Sequence, residues 1–164
     1  MAGKLEKELK KQRGFESVQQ SAVVGLLRTN DLFQYRFSHL FREYGLTQPQ
    51  YNVLRILRGE GQPLPCLEIA SRMITMVPAI TSLIDKLETR ELVTRKRCTA
   101  DRRVWYVALT DAGCQLLLQM DHPVMELHRG LCSGLSTAEC RQLVELLEKA
   151  RAPHANGTAE PDTP

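Results

Sequence analysis

The segment from Leu92 to Thr110 constrains the fold of this 164-residue chain more than any other part of the sequence. It predicts two short strands, residues 92–96 and 104–109, joined by a tight loop. The second strand is rich in β-branched and aromatic residues, which favour strand over helix. The segment therefore predicts a β-hairpin.

The same hairpin concentrates the positive charge of the chain. Residues 94–103 carry a net charge of +4, whereas the whole chain carries +3. A concentrated basic projection attracts a phosphate backbone, because opposite charges attract over several ångströms. We therefore expect the hairpin to contact DNA. A solvated charged hairpin without a binding role is the competing interpretation.

Two short helices are predicted immediately before the hairpin. The first covers residues 66–73, and the second runs from about Met76 to Arg90 with Pro78 in its first turn. Ile74 and Thr75 form the brief turn between them. Two short helices, a tight turn and then a two-stranded hairpin are the order of elements in a winged helix-turn-helix.

Longer helices are predicted on both sides of this region. Apolar residues recur at three- and four-residue steps from Phe15 to Tyr44, a stripe longer than one small domain can cover, so a partner chain is expected to cover it. Gly45 is expected to end that helix. Pro123 is expected to kink or end a later helix near His122.

Two capping boxes mark helix starts. Thr47 with Gln50, and Ser136 with Glu139, have the spacing at which side chain and backbone cap each other. The predicted fold class is mainly α with a small β-hairpin wing: a winged helix-turn-helix domain plus N- and C-terminal dimerisation helices. We assign residues 1–14 to a flexible N-terminus, 15–45 and 111–151 to the helical dimerisation region, 46–110 to the winged helix-turn-helix DNA-binding domain, and 152–164 to a disordered tail.

Several classes of protein are disfavoured by the sequence. No apolar run approaches the length of about 18 residues that spans a membrane, and the N-terminus lacks a secretory signal, so a cytoplasmic location is expected. The five cysteines have no CxxC spacing and the four histidines have no metal-site spacing, so neither a disulfide framework nor a metal site is expected. Without a phosphate-binding loop, paired catalytic carboxylates or a nucleophile motif, no enzyme activity and no cofactor are expected.

Residues 81–93, Arg95, Asp101-Arg102-Arg103 and the string Val107-Ala-Leu-Thr-Asp-Ala-Gly113 resemble the MarR family of bacterial transcriptional regulators. The run from Gly45 to Leu54 is similar to the family's pattern before the helix-turn-helix. The resemblance covers roughly residues 30–150. It implies a homodimer with interlocking terminal helices that binds a palindromic operator, and usually repression that a small ligand or oxidation relieves.

In a protein of this kind the N-terminal part of the recognition helix reads base edges in the major groove. Thr81 and Ser82 can hydrogen-bond a base or a phosphate, whereas Met76 and Ala79 can touch thymine methyl groups. Relatives often carry arginine where Met76 or Ser82 stands here, which shifts guanine recognition away from this helix and more of the binding to the wing. The candidate residues are Thr75, Met76, Pro78, Ala79, Thr81, Ser82 and Lys86.

The wing supplies the other DNA candidates. Arg102 or Arg103 is expected in the minor groove, where narrow A·T segments concentrate negative potential. By the family pattern, Asp101 and Arg103 form a supporting pair and Arg102 is the tip, although the two arginines are interchangeable in this assignment. Arg95 and Arg97 are candidates for phosphate contacts.

Regulation has two candidate sites. A small aromatic ligand, which we expect to release the repressor, would suit a mostly apolar pocket lined by Phe33, Tyr35, Phe37, His39, Tyr44, Tyr51 and Arg55, although packing is the commoner role of such residues. Alternatively, the chain is a thiol-redox regulator, through Cys98 beside the wing arginines or Cys66 at a helix N-terminus, where a lowered thiol pKa is expected. A winged-helix module that binds a protein and no DNA is the remaining alternative.

Overall fold

The structure is a computed structural model that describes residues 4–99, 101 and 103–154. Its contacts divide the chain into two units, one that ends at Val124 and one that begins at Met125. The fold is mainly helical with a small antiparallel sheet, which confirms the predicted fold class. The elements are α1 (Lys4–Glu8), α2 (Val18–Glu43), α3 (Gln48–Glu60), β1 (Leu64–Pro65), α4 (Cys66–Ser71), α5 (Ile80–Thr89), β2 (Val93–Arg97), β3 (Trp105–Leu109), α6 (Asp111–Leu131), α7 (Thr137–Arg151) and a 3₁₀ turn, Ala152–His154.

Both predicted capping boxes are present. Thr47 accepts a hydrogen bond from the backbone N–H of Gln50, and its own N–H donates to Gln50 Oε1 at 2.8 Å. Ser136 and Glu139 make the same reciprocal pair at the start of α7. Each box satisfies backbone donors that a helix N-terminus leaves unpaired, so α3 and α7 begin where the sequence indicates.

The N-terminal region contains a short helix that the sequence does not indicate. α1 covers Lys4–Glu8, and the backbone N–H of Phe15 donates to Glu6 Oε1 at 3.1 Å. α2 starts at Val18, behind the N-cap residue Ser17, and ends at Glu43. Gly45, two residues later, has a φ of +67°, the left-handed conformation that glycine adopts without strain. The first three residues of the predicted disordered tail, Ala152–His154, form the 3₁₀ turn instead, and the rest of that tail lies outside the described residues.

The helix-turn-helix differs from its predicted bounds. α4 ends at Ser71 and α5 begins at Ile80, so the predicted start at Met76 is wrong by four residues. Ala79 has φ −129° and ψ 62° and no side-chain cap, and the residue before Pro78 is disfavoured from helical conformation. The residues from Met76 to Ala79 therefore form an extended turn in front of a shorter helix.

The hairpin is part of a three-stranded sheet with the order β1-β3-β2. The two-residue strand β1 pairs Leu64 with Val107, and it is too short to be recognised from its sequence. Between β2 and β3, Arg97 lies opposite Trp105 and Arg95 lies opposite Val107. These four side chains share one face of the pleated sheet, because side chains alternate between faces along a strand.

The apolar core lies within the first unit. It is formed by α2, α3, α4, α5, the sheet and α6, and it packs the base of the wing against the helices. Burying each large aliphatic side chain contributes about 1.5–3 kcal/mol, so this core fixes the positions of α5 and the wing. Its completely buried members are Val53, Leu54, Ile69, Ile84, Leu87, Val107, Leu117 and Met120.

The helix α6 corrects a prediction at its middle and shows a close approach at its start. It continues through Pro123 to Leu131, with Met120 and Val124 buried, so the proline does not end it. At its start, a Cβ atom on Gly113 would lie 2.2 Å from the carbonyl oxygen of Leu92. Only glycine allows α6 to approach the hairpin this closely.

Candidate nucleic-acid interface

The turn before α5 and the outer face of α5 form a continuous exposed surface of the helix-turn-helix. Ile84 and Leu87 point into the core, so the residues between them on the helix point to solvent. All seven residues predicted to read DNA from this region are exposed, and Met76 is 99% exposed. A side chain of that size with that exposure is available to a partner. The seven are Thr75, Met76, Pro78, Ala79, Thr81, Ser82 and Lys86.

This surface carries two further apolar residues that the sequence interpretation did not single out. Ile74 in the turn and Leu67 on α4 are 79% and 82% exposed. With Met76 they give three large apolar side chains within ten residues of the helix-turn-helix. The sequence contained one signal of this exposure: these residues depart from the spacing of the buried positions on α4 and α5.

Two acids on α5 would repel phosphates if they were free, but Arg95 binds both. Arg95 Nη1 lies 2.6 Å from Asp85 Oδ1, and its Nη2 lies 2.6 Å from Glu88 Oε2. The pKa of the Arg95 guanidinium is raised, chiefly by its hydrogen bond to Glu88. The Arg95 side chain, which was predicted to contact phosphate, thus links β2 to α5 through two ion pairs.

The aromatic ring of Trp105 lies between two wing arginines. The guanidinium carbons of Arg95 and Arg97 lie 5.8 and 5.6 Å from its ring centroid. At this distance a cation is attracted to the face of the ring. The attraction orders both arginine side chains, while the rigid tryptophan loses little conformational entropy. Trp105 therefore stiffens the strands from which the wing loop projects.

In the wing loop, Asp101 pairs with Arg103 as the family pattern suggests. Asp101 Oδ1 accepts hydrogen bonds from the backbone N–H of Arg103 at 2.9 Å and from its Nε at 3.3 Å. One carboxylate oxygen makes both contacts. The Arg103 side chain stays 92% exposed. Arg102, the predicted tip, lies outside the described residues.

Two arginines outside the wing fix the surroundings of the site. The Arg90 guanidinium, after α5, donates to the carbonyl oxygens of Gly45 and Tyr44 after α2. Arg58 on α3 makes two hydrogen bonds to the carboxylate of Asp121 on α6, at 2.9 and 2.6 Å. The pKa of Arg58 is raised by this bond. The first set of contacts ties the end of α5 to the segment after α2, and the second ties α3 to α6.

The residues predicted to line a ligand pocket are only partly brought together. Phe41 stacks between Phe37 and Tyr51, with centroid separations of 5.8 and 4.3 Å. His39 is exposed and lies 3.4 Å from Glu43 of its own helix. Of the others, Phe33, Tyr44 and Phe37 are half-buried, whereas Tyr35 and Arg55 are exposed.

A cleft of about 330 Å³ lies elsewhere in the first unit, between the end of α3 and the start of α6. None of the predicted ligand residues lines it. Arg58 does, and its guanidinium is already bound by Asp121. The lining residues are Leu57, Arg58, Gly61, Gln62, Pro63, Ala108, Leu109, Thr110, Asp111 and Cys114.

The expected lowering of the Cys66 pKa is wrong. Burial raises the pKa of this thiol, and the charge of Arg95, which acts in the opposite direction, is the smaller effect. Cys98 is half-buried in the wing, where its backbone N–H donates to Val104 at 2.9 Å. Within the described part of the chain, no group of three or more His, Cys, Asp or Glu could hold a metal ion. In the same residues, no helix is long and apolar enough to cross a membrane.

Comparison with known proteins identifies the family. A family model described as "MarR family" matches residues 46–105. A MarR transcription factor from Planctomyces limnophilus is 39% identical, with a TM-score of 0.66 over 82% of this chain and 98% of that chain. The chain belongs to the MarR family. It is therefore a transcriptional regulator of the winged-helix type, in a family of regulators and not of enzymes.

Two further proteins that are similar to this chain are described with the name of a small molecule. The homoprotocatechuate degradative operon repressor of Escherichia coli is 26% identical, over 79% of this chain and 86% of that protein. BpsR of Bordetella bronchiseptica, whose DNA binding is regulated by 6-hydroxynicotinic acid, is 25% identical, with a TM-score of 0.72 over 79% of this chain and 98% of BpsR.

Proposed function

We propose that this MarR-family chain is a repressor that binds a palindromic DNA operator as a homodimer and is released by a small aromatic ligand. One observation carries the DNA-binding part. The exposed face of α5 and its preceding turn lies beside a basic wing, and both acids of that helix form ion pairs with Arg95. What remains for a partner is a positive and locally apolar surface, which suits phosphates and thymine methyl groups.

The homodimer is supported by uncovered apolar side chains in each unit. α2 exposes Val18, Val23 and Leu27 by more than half, and α7 exposes Val144 and Leu146 to the same degree. Exposed apolar patches of this kind mark association surfaces. A two-fold dimer would present two copies of α5 to two half-sites, and this is why we propose a palindrome. Sedimentation at several chain concentrations tests the dimer directly.

The ligand is proposed from the two named relatives and from the aromatic cluster. One relative is named for the homoprotocatechuate degradative operon and the other is regulated by 6-hydroxynicotinic acid, and both compounds are aromatic carboxylic acids. In this chain Phe37, Phe41 and Tyr51 stack. The test is release of bound DNA by a panel of hydroxybenzoic and hydroxynicotinic acids, with aliphatic acids of equal charge as controls. Equal responses to both sets would contradict an aromatic effector without touching the DNA-binding proposal.

The first experiment is binding to DNA fragments from the protein's own promoter region, measured by fluorescence anisotropy over a salt series. Arg102→Ala/Arg103→Ala removes two wing charges, and Arg129→Ala/Arg151→Ala removes two from the second unit. We expect tight, salt-dependent binding by the wild type and by the second variant, and its loss in the wing variant. Equal losses of DNA affinity in the two variants would mean that the net charge of the chain, and not the wing, attracts the DNA.

A protein-binding module without DNA affinity is the second candidate, favoured by the exposed apolar residues Leu67, Ile74 and Met76. The same salt series separates the two functions. Binding through phosphates releases counterions, so the logarithm of the affinity falls by about 0.9 per phosphate for each unit of log salt concentration. No binding at low salt by a folded dimer would favour the protein partner.

A further inference from the structure

The Arg90 side chain joins the ends of two helices that lie far apart in the chain. Arg90 is the C-cap residue of α5, and its guanidinium donates hydrogen bonds to the carbonyl oxygens of Gly45 and, at 3.4 Å, of Tyr44. Both oxygens stand at the C-terminal end of α2, where the helix dipole favours a cation. Arg90 therefore links the proposed recognition helix to one of the helices proposed to form the dimer.

The end of α2 that Arg90 contacts has the hydrogen bonds of a Schellman motif. The backbone N–H of Leu46 donates to Phe41 O, and that of Gly45 donates to Arg42 O, both at 2.9 Å. Phe41 and Leu46, which flank the motif, are buried. These bonds and this burial hold the two oxygens that accept from Arg90 in place.

The end of α5 has the same motif, with Arg90 at its centre. The backbone N–H of Leu92 donates to Leu87 O at 3.0 Å, and that of Glu91 donates to Glu88 O at 2.8 Å. Glu91 has a φ of +57°, as the motif requires, and Leu87 and Leu92 are buried. The backbone of Arg90 is thus as well fixed as its acceptors are.

The contact between the two motifs is close and directional. A Cβ atom on Gly45 would lie 3.2 Å from Arg90 Nη2 and 3.6 Å from its Cζ and Nη1, so the guanidinium lies against the glycine backbone. A planar guanidinium that donates to two successive carbonyls fixes an orientation, whereas apolar packing is not directional. Arg90 therefore constrains the direction of α5 in a way that the core alone does not.

We propose that Arg90 is a positioning residue that sets the separation of the two operator half-sites which the dimer accepts. This inference rests on the proposed function, since it requires a dimer that places one copy of α5 in each half-site. One added base pair moves the half-sites apart by about 3.4 Å and rotates them by about 35°. A dimer whose recognition helices are fixed to α2 should reject that change.

The test uses the full-length protein and the own-promoter fragment that it binds, footprinted to locate both half-sites. Fluorescence anisotropy compares this DNA with two versions in which one base pair is added or removed midway between the half-sites. The result is the ratio of affinities for the natural and the altered spacing, in which the general effect of a lost positive charge cancels. We expect a wild-type ratio of about tenfold or more, and a ratio lower by about threefold or more in Arg90→Gln.

Two further variants make the test specific to the two hydrogen bonds. Arg42→Gln is the matched control, because Arg42 is an exposed arginine in the last turn of α2 whose Nε donates to Ser38 O of its own helix at 3.2 Å. It should keep the wild-type ratio. Arg90→Lys should retain most of that ratio, because an ammonium group can donate to the same carbonyls. Urea denaturation checks that every variant is folded.

Several results would overturn the role of Arg90 while leaving DNA binding intact. These are a wild-type ratio in Arg90→Gln, an equal decrease in Arg42→Gln, an Arg90→Lys variant as unselective as Arg90→Gln, and a wild type that binds all spacings equally. Failure of the wild type to bind any promoter fragment at low salt would instead contradict the proposed function, and this inference with it.

Discussion

Glu88 contacts Arg95 through both of its carboxylate oxygens. Oε1 accepts the backbone N–H of Arg95 at 3.1 Å, and Oε2 accepts the guanidinium Nε at 2.7 Å. The first bond belongs to the strand β2 and the second to the side chain. Glu88 therefore fixes the wing and its first arginine to the proposed recognition helix together.

Replacing Glu88 tests this relationship with an effect of unusual sign. Glu88→Gln removes a negative charge near DNA, so electrostatics alone predicts tighter binding. We expect weaker binding instead, by about fivefold or about 1 kcal/mol, because the wing loses its fixed position. Glu91→Gln, which removes the same charge three residues later from an exposed side chain, is the control and should leave binding unchanged or slightly tighter.

Arg95 and Arg97 are predicted to differ in the salt dependence of DNA binding. Arg97→Ala should lower the salt slope by about one unit, as expected when one phosphate contact is removed. Arg95→Ala should weaken binding without lowering the slope, because its guanidinium is engaged by Asp85 and Glu88. If both variants lower the salt slope equally, Arg95 contacts phosphate and does not serve to link β2 to α5.

Met76 is predicted to contact a thymine methyl group. Its side chain is 99% exposed, so Met76→Ala should not change stability, but it should weaken operator binding several-fold. Replacing the contacted thymine by uracil removes only the methyl group and should weaken wild-type binding by the same factor. The two changes together should weaken binding no further, whereas multiplied losses would show that Met76 does not contact that methyl.

Gly113 is predicted to be indispensable for stability. A Cβ at this position would lie 2.2 Å from Leu92 O and 2.7 Å from Leu109 Cδ1, so Gly113→Ala should cost about 1–3 kcal/mol of unfolding free energy. Gly59→Ala, in a helix with open space around it, should instead stabilise the chain by up to about 1 kcal/mol. Urea denaturation at one chain concentration measures both, and equal midpoints would contradict the close approach.

The features predicted correctly from sequence depend on residues close together in the chain. The Thr47–Gln50 and Ser136–Glu139 boxes each act within one helical turn, so their residue types and spacing suffice. The two strands of the hairpin, β2 and β3, were also placed within one residue of their observed ends, because their amino-acid composition is distinctive.

The features that were missed depend on tertiary contacts or on the balance between them. Pro78 suggested the first turn of a helix, but the helix starts later, at Ile80, behind an N-cap residue, Ala79, that makes no side-chain capping bond. Pro123 suggested a helix end, but α6 continues through it, and its neighbours Met120 and Val124 are buried. The role of Arg95 depends on two acids of another element, which no local pattern reveals.

The Arg58–Asp121 pair is predicted to stabilise the first unit more than an exposed ion pair does. It joins α3 to α6 by two short hydrogen bonds, and its side chains are 26% and 41% exposed. Arg28 and Asp31, 3.7 Å apart and 55% and 78% exposed, provide the comparison. A double-mutant cycle to alanine should give a coupling of about 1 kcal/mol for the first pair and close to zero for the second, because solvent screens exposed charges. Equal couplings in the two cycles would mean that the Arg58–Asp121 contact does not hold α3 against α6.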